Sequence, residues 1–107
     1  MQRRLVPISL LALVTTPAIA QERTTPHSVR PPKGLVPNEA TAIKIAIAVW
    51  EPIYGAEQIA EQAPYRVALR AGVWVVTGSL PPGSLGGVAI AEIAREDGRV
   101  LRVSHGK

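Results

Sequence analysis

The chain has 107 residues, with 12 Lys and Arg against 8 Asp and Glu, a formal net charge of +4, and no cysteine. That length allows one small domain and excludes a large multi-domain enzyme. Without cysteine, disulfide scaffolds, thiolate metal sites, cysteine nucleophiles and cysteine-linked lipid anchors are excluded in any compartment.

The N-terminus reads as a secretory signal peptide. Met1-Gln2-Arg3-Arg4 is a short basic start, Leu5 to Val14 is an apolar run interrupted only by Pro7 and Ser9, and Ala18-Ile19-Ala20 is a small-x-small cleavage signal. A membrane span needs roughly 18 to 20 apolar residues, so this shorter run predicts no permanent membrane anchor. Arg3-Arg4 also fits a twin-arginine export signal, but a pair of arginines does not separate that route from ordinary export. Cleavage after Ala20 predicts a periplasmic or secreted protein of 87 residues. It carries ten basic residues against the same eight acidic ones, a net charge of +2. Arg66, Arg70, Arg95, Arg99 and Arg102 are dispersed among acidic and apolar residues, which argues against nucleic acid as a partner.

Residues 21–36 contain Pro26, Pro31 and Pro32 among Arg, Lys, Thr and Ser, with only Val29, Leu35 and Val36 as aliphatic residues. Such a stretch buries too little apolar surface to offset its ordering entropy, so it reads as a flexible Pro-rich spacer. The single domain is expected over residues 37–107. Asn38 is a good N-cap, Glu39 suits the positive end of a helix dipole, and nine of the thirteen residues from Glu39 to Glu51 are apolar. At the helical period, Ala42, Ile43, Ala46, Val49, Trp50 and Ile53 share a face, with Ile45 and Ile47 on its flanks. Gly55 offers a stop. Ala56 to Gln62 predicts a turn or two of helix ended by Pro64.

Strand signals follow. Tyr65, Val67 and Leu69 alternate with Arg66, Ala68 and Arg70, and Ala71-Gly72 turns the chain into the β-branched run Val73-Trp74-Val75-Val76-Thr77. After a Pro- and Gly-rich loop, Val88 to Ala94 and Val100 to Val103 flank Glu96-Asp97-Gly98, whose Asp-Gly favours a hairpin. The predicted fold is α+β: one main N-terminal helix packed on a curled antiparallel sheet of about four strands, in two hairpins. Parallel nucleotide-binding folds need strand–helix alternation and are excluded. Ile43, Ala46, Trp50, Tyr65, Val67, Leu69, Ile93 and Leu101 form the expected core.

Pro37, Ala42 and Ala46, Pro52-Ile53-Tyr54-Gly55, Pro64-Tyr65, Gly72-Val73-Trp74-Val75-Val76-Thr77-Gly78, Leu80-Pro81, Gly86-Gly87, Ile93 and Asp97-Gly98 together carry a resemblance. The chain from Val36 to Lys107 resembles the small bacterial immunity proteins of the nuclear transport factor 2 fold type. The resemblance implies a protein that binds and neutralises a cognate toxin, and it brings no catalytic motif.

No constellation for catalysis, cofactor or metal binding emerges from the residues. His27 lies in the Pro-rich spacer and His105 beside the C-terminus, with Glu92 the only acid on a predicted strand near either. Glu51, Glu57 and Glu61 fit solvated helix faces, and Ser84 lacks both nucleophile-elbow and phosphate-loop spacing. Binding without turnover is therefore expected. Trp74 is out of phase with Val73 and Val75, which places it with Arg66, Arg70 and Arg102 on the outer sheet face as the partner-binding surface. The alternative function is an exported peptidase-inhibitor-like or propeptide-like binding module, since a helix on antiparallel strands also suits those small inhibitory domains.

Overall fold

The computed structural model describes residues 28–106. The leader, its cleavage point and the spacer up to His27 lie outside the described residues. Asn38 Oδ1 accepts the Thr41 N–H at 2.9 Å and opens helix α1, Glu39–Tyr54, as its residue type predicts. Gly55 ends that helix with a φ of 99° and donates its N–H to Glu51 O. A short helix α2, Ala56–Ala60, leads into strands β1, Arg66–Arg70; β2, Val73–Thr77; β3, Val88–Ala94; and β4, Val100–Gly106. The strands form one antiparallel sheet in the order β1-β2-β3-β4, and α1 packs across β1 to β3. This is the predicted α+β arrangement of one main helix on two hairpins.

Between helix and sheet lie Ala42, Ala46 and Trp50 of α1, Ile59 of α2, Trp74 and Val76 of β2, and Ala89, Ala91 and Ile93 of β3. Alanine on both layers permits close approach, while the two tryptophans and Ile59 supply the volume. Trp50 packs its ring 5.9 Å from that of Tyr65. The buried line on α1 is narrower than its apolar stripe. Ile43, Ile45 and Ile47 are only partly buried, and Ile53 is exposed.

Two expected core residues are not buried. Leu69 is 42% exposed because β1 is an edge strand that α1 covers only in part. Leu101 is 45% exposed for a different reason. Glu92 pairs with Arg102, yet the next residue, Ile93, pairs with Val100, so Leu101 is the extra residue of a β-bulge and loses its place opposite the core. Tyr65 and Val67 are partly buried.

The end of the Pro-rich stretch is also part of the packed domain. Leu35 and Val36 donate their N–H groups to Glu96 O and Arg95 O, at 2.9 and 3.0 Å, so this strap runs beside the β3–β4 turn. Gly34 has a φ of 90°, and a Cβ there would collide with Arg95 O. Val36 is 2% exposed, and its carbonyl accepts the Trp74 Nε1–H at 2.8 Å. The composition of residues 21–36 predicts a spacer through Val36; the structure shows the last two of them, Leu35 and Val36, hydrogen-bonded to the domain.

A chain shortened to begin at Asn38 should therefore be less stable than one beginning at Pro31. The loss should be about 3 kcal/mol, the sum of one buried valine and one buried hydrogen bond. Parallel thermal and urea melts of the two chains measure it.

Candidate functional site

The two-residue turn Ala71-Gly72 sets the phase of the sheet. Its φ angles are 49° and 78°, both positive as a type I′ hairpin turn requires, and it places Arg70 opposite Val73. Leu69 then faces Trp74 and Val67 faces Val76 on the helix side. Trp74 is 6% exposed and points into the core, not to the outer face where its phase against Val73 and Val75 had placed it. The reason is that Val73 and Val75 share the outer face with Arg66 and Arg70. The turn itself is the signal that fixes the correct phase.

The structure puts Arg66, Arg70 and Arg102 on the same outer face but on its opposite edge strands, β1 and β4. The two helices of the described residues lie on the other side of the sheet, and the middle of this face is apolar, made by Ala68, Val73, Val75 and Ile90. Arg66 and Arg70 are exposed on β1 and make no ion pair among the described residues. Arg102 on β4 instead donates to Glu92 at 3.1 Å, across the strand pair. The face therefore has a cationic side at β1, an apolar middle and a neutralised pair toward β4. Such a surface suits a partner with acidic and apolar groups.

At one end of the sheet, a cleft of about 380 Å³ opens between α2, the β2–β3 loop and β4, lined in part by Glu61, Gln62, Ser79, Ser84 and His105. Gln62, which the sequence leaves as a helix end, is 5% exposed and organises this corner. Its Oε1 accepts the Ala89 N–H at 2.8 Å and its backbone carbonyl accepts the Ser79 N–H at 2.7 Å. Gly78 must lack a side chain because a Cβ would collide with Gln62. With Oε1 engaged, Gln62 Nε2 lies at hydrogen-bond distance, 3.2 Å, from His105 Nε2. The His105 ring also packs against Tyr54, with centroids 5.0 Å apart.

Glu51, Glu57, Glu61 and Ser84 are exposed. Among the described residues, no group of three or more His, Asp or Glu is placed to hold a metal ion, and no helix is long and apolar enough to cross a membrane. His27 and the apolar leader lie outside those residues.

Residues 41–107, from the first turn of α1 through β4, match the family of NTF2 fold immunity proteins. The chain is also 37% identical over 76 residues to the uncharacterized protein YhhH of Escherichia coli (strain K12). That alignment covers 70% of this chain and 60% of the relative, so the chain spans about three fifths of the relative's length. No solved structure matches.

Tyr65 offers a titration that reports on this packing. Its hydroxyl donates to Ile59 O at 2.7 Å, and burial, with the Glu51 carboxylate adding to it, pushes its pKa above the ordinary 10.0. The folded state thus holds the phenolic proton to higher pH than the unfolded chain does. This contribution to stability is fully present below pH 10 and is lost as the pH rises through the folded-state value. In urea melts at about pH 8 and about pH 11, Tyr65→Phe should show a smaller alkaline loss than the parent.

Proposed function

The chain belongs to the NTF2 fold immunity protein family, and from that premise we propose that it is exported and neutralises one toxin by stoichiometric binding, without turnover of its own. The observation that carries the reading is the outer sheet face, which nothing among the described residues covers and where exposed Arg66 and Arg70 flank an apolar strip without an ion-pair partner among those residues. An acidic patch on a toxin would supply that partner. Arginines at an interface serve two purposes, steering encounter over a distance and anchoring the complex through charge-assisted hydrogen bonds. Arg102 contributes less because Glu92 already neutralises it. The basic start, the apolar run and Ala18-Ile19-Ala20 support export. Export would bring the antidote to where a toxin acts or arrives outside the cytoplasm.

Two measurements test this reading. Mass spectrometry of the periplasmic fraction should find a mature chain beginning at Gln21; an intact Met1 in the cytoplasm overturns the export reading. Calorimetric titration with the toxin encoded beside the gene should give one-to-one binding. Arg66→Ala combined with Arg70→Ala should weaken that binding by about 2 kcal/mol or more, and Arg102→Ala by less. Absence of binding to any encoded neighbour, with inhibition of a peptidase instead, would favour the inhibitor-like module.

A further inference from the structure

We propose that the free edge of β1 docks an extended acidic segment of the partner, which joins the sheet as a fifth strand; that the partner is a toxin rests on the immunity reading above. Strand β1 is the first in the order β1-β2-β3-β4, and among the described residues nothing pairs with its far edge. The type I′ turn makes Arg70 and Val73 the closing hydrogen-bonded pair. In an antiparallel ladder such pairs alternate, so Ala68 and Arg66 also direct their backbone groups toward β2. The N–H and C=O of Val67 and Leu69 consequently point away from the sheet, ready for another strand.

The side chains around this edge state what kind of strand fits. On the outer face stand Arg66 and Arg70, exposed, with the small Ala68 between them. On the helix face stand Val67, partly buried, and Leu69, whose exposure follows from having no neighbour beyond β1. A fifth strand that alternates acidic with apolar residues would neutralise the two guanidinium groups on one face and cover Val67 and Leu69 on the other. A second copy of this chain is a poor occupant. Antiparallel self-pairing centred on Ala68 sets Arg66 of each copy against Arg70 of the other, and like charges directly opposite repel. The opposite edge is less suited, since β4 carries the bulge at Leu101 and Arg102 is already paired with Glu92.

The probe is a short synthetic peptide of alternating Glu and Val, compared with one of alternating Lys and Val, titrated into isotopically labelled protein. The acidic peptide should shift the Val67 and Leu69 amide resonances and slow their hydrogen exchange, and the basic peptide should not. Leu69→Pro removes one outward N–H without taking a donor from the β1–β2 ladder, and should weaken the acidic peptide by about tenfold or more. Arg66→Glu combined with Arg70→Glu should invert the preference between the two peptides, which keeps the test intact if the proline variant does not fold. Unperturbed Val67 and Leu69 amides, or an unchanged preference after charge reversal, overturn the edge site. Toxin neutralisation that survives in both variants also overturns it and leaves the immunity reading standing. Peptide binding without neutralisation of any encoded toxin overturns the immunity reading and leaves the edge site standing.

Discussion

Reversal of the chain within two residues, Ala71 and Gly72, governs what each face of this domain presents. Side chains in a strand alternate, so one residue more or less in the turn would send Trp74 and Val76 to solvent and Val73 and Val75 into the core. The tight turn prevents that slip by requiring positive φ at both central positions, which Gly72 adopts freely and Ala71 adopts at some conformational cost. It is also anchored from outside the hairpin, because Gly72 O accepts the Arg95 N–H at 2.9 Å from the end of β3. The core tryptophan and the surface arginines are thus two results of one backbone geometry.

A domain this small buries a modest fraction of its surface and depends on closing the ends of its core. At one end the closure is the strap, where Val36 fills space and satisfies the Trp74 indole at the same time. At the other end it is Gln62, which links the segment after α2 to the β2–β3 loop, to β3 through Ala89 and to β4 through His105. In both places a buried polar group is paired with backbone or an imidazole, which is how polar atoms are accommodated without a large desolvation penalty.

Much of this architecture is legible in the residues. The helix can be read from Asn38, its apolar period and Gly55, and the strands from their β-branched runs, because those signals are local. What is not legible depends on contacts distant in sequence. Val36 looks like the end of a spacer until the backbone of Arg95 and Glu96 is brought beside it. Leu101 belongs to an apolar alternation with Val103 that a single extra residue interrupts, and no composition signal announces a bulge. Ile59 and Gln62 sit in a segment too short for periodicity, yet both are buried. Alternation along β1 is enough to read Arg66 and Arg70 onto the outer face, whereas apolar residues on both faces of β2 leave the phase of Trp74 ambiguous in the sequence.

The bulge at Leu101 has a consequence for colloidal behaviour. An open sheet with two straight, receptive margins can add copies of itself end to end, and the product of that addition is a fibre. Here the β4 margin is distorted by an inserted residue, so a neighbouring β1 would meet a ladder interrupted at its start. Growth by repeated β1-to-β4 addition is thereby hindered at every junction. The domain can leave one margin receptive without inviting polymerisation of its own kind.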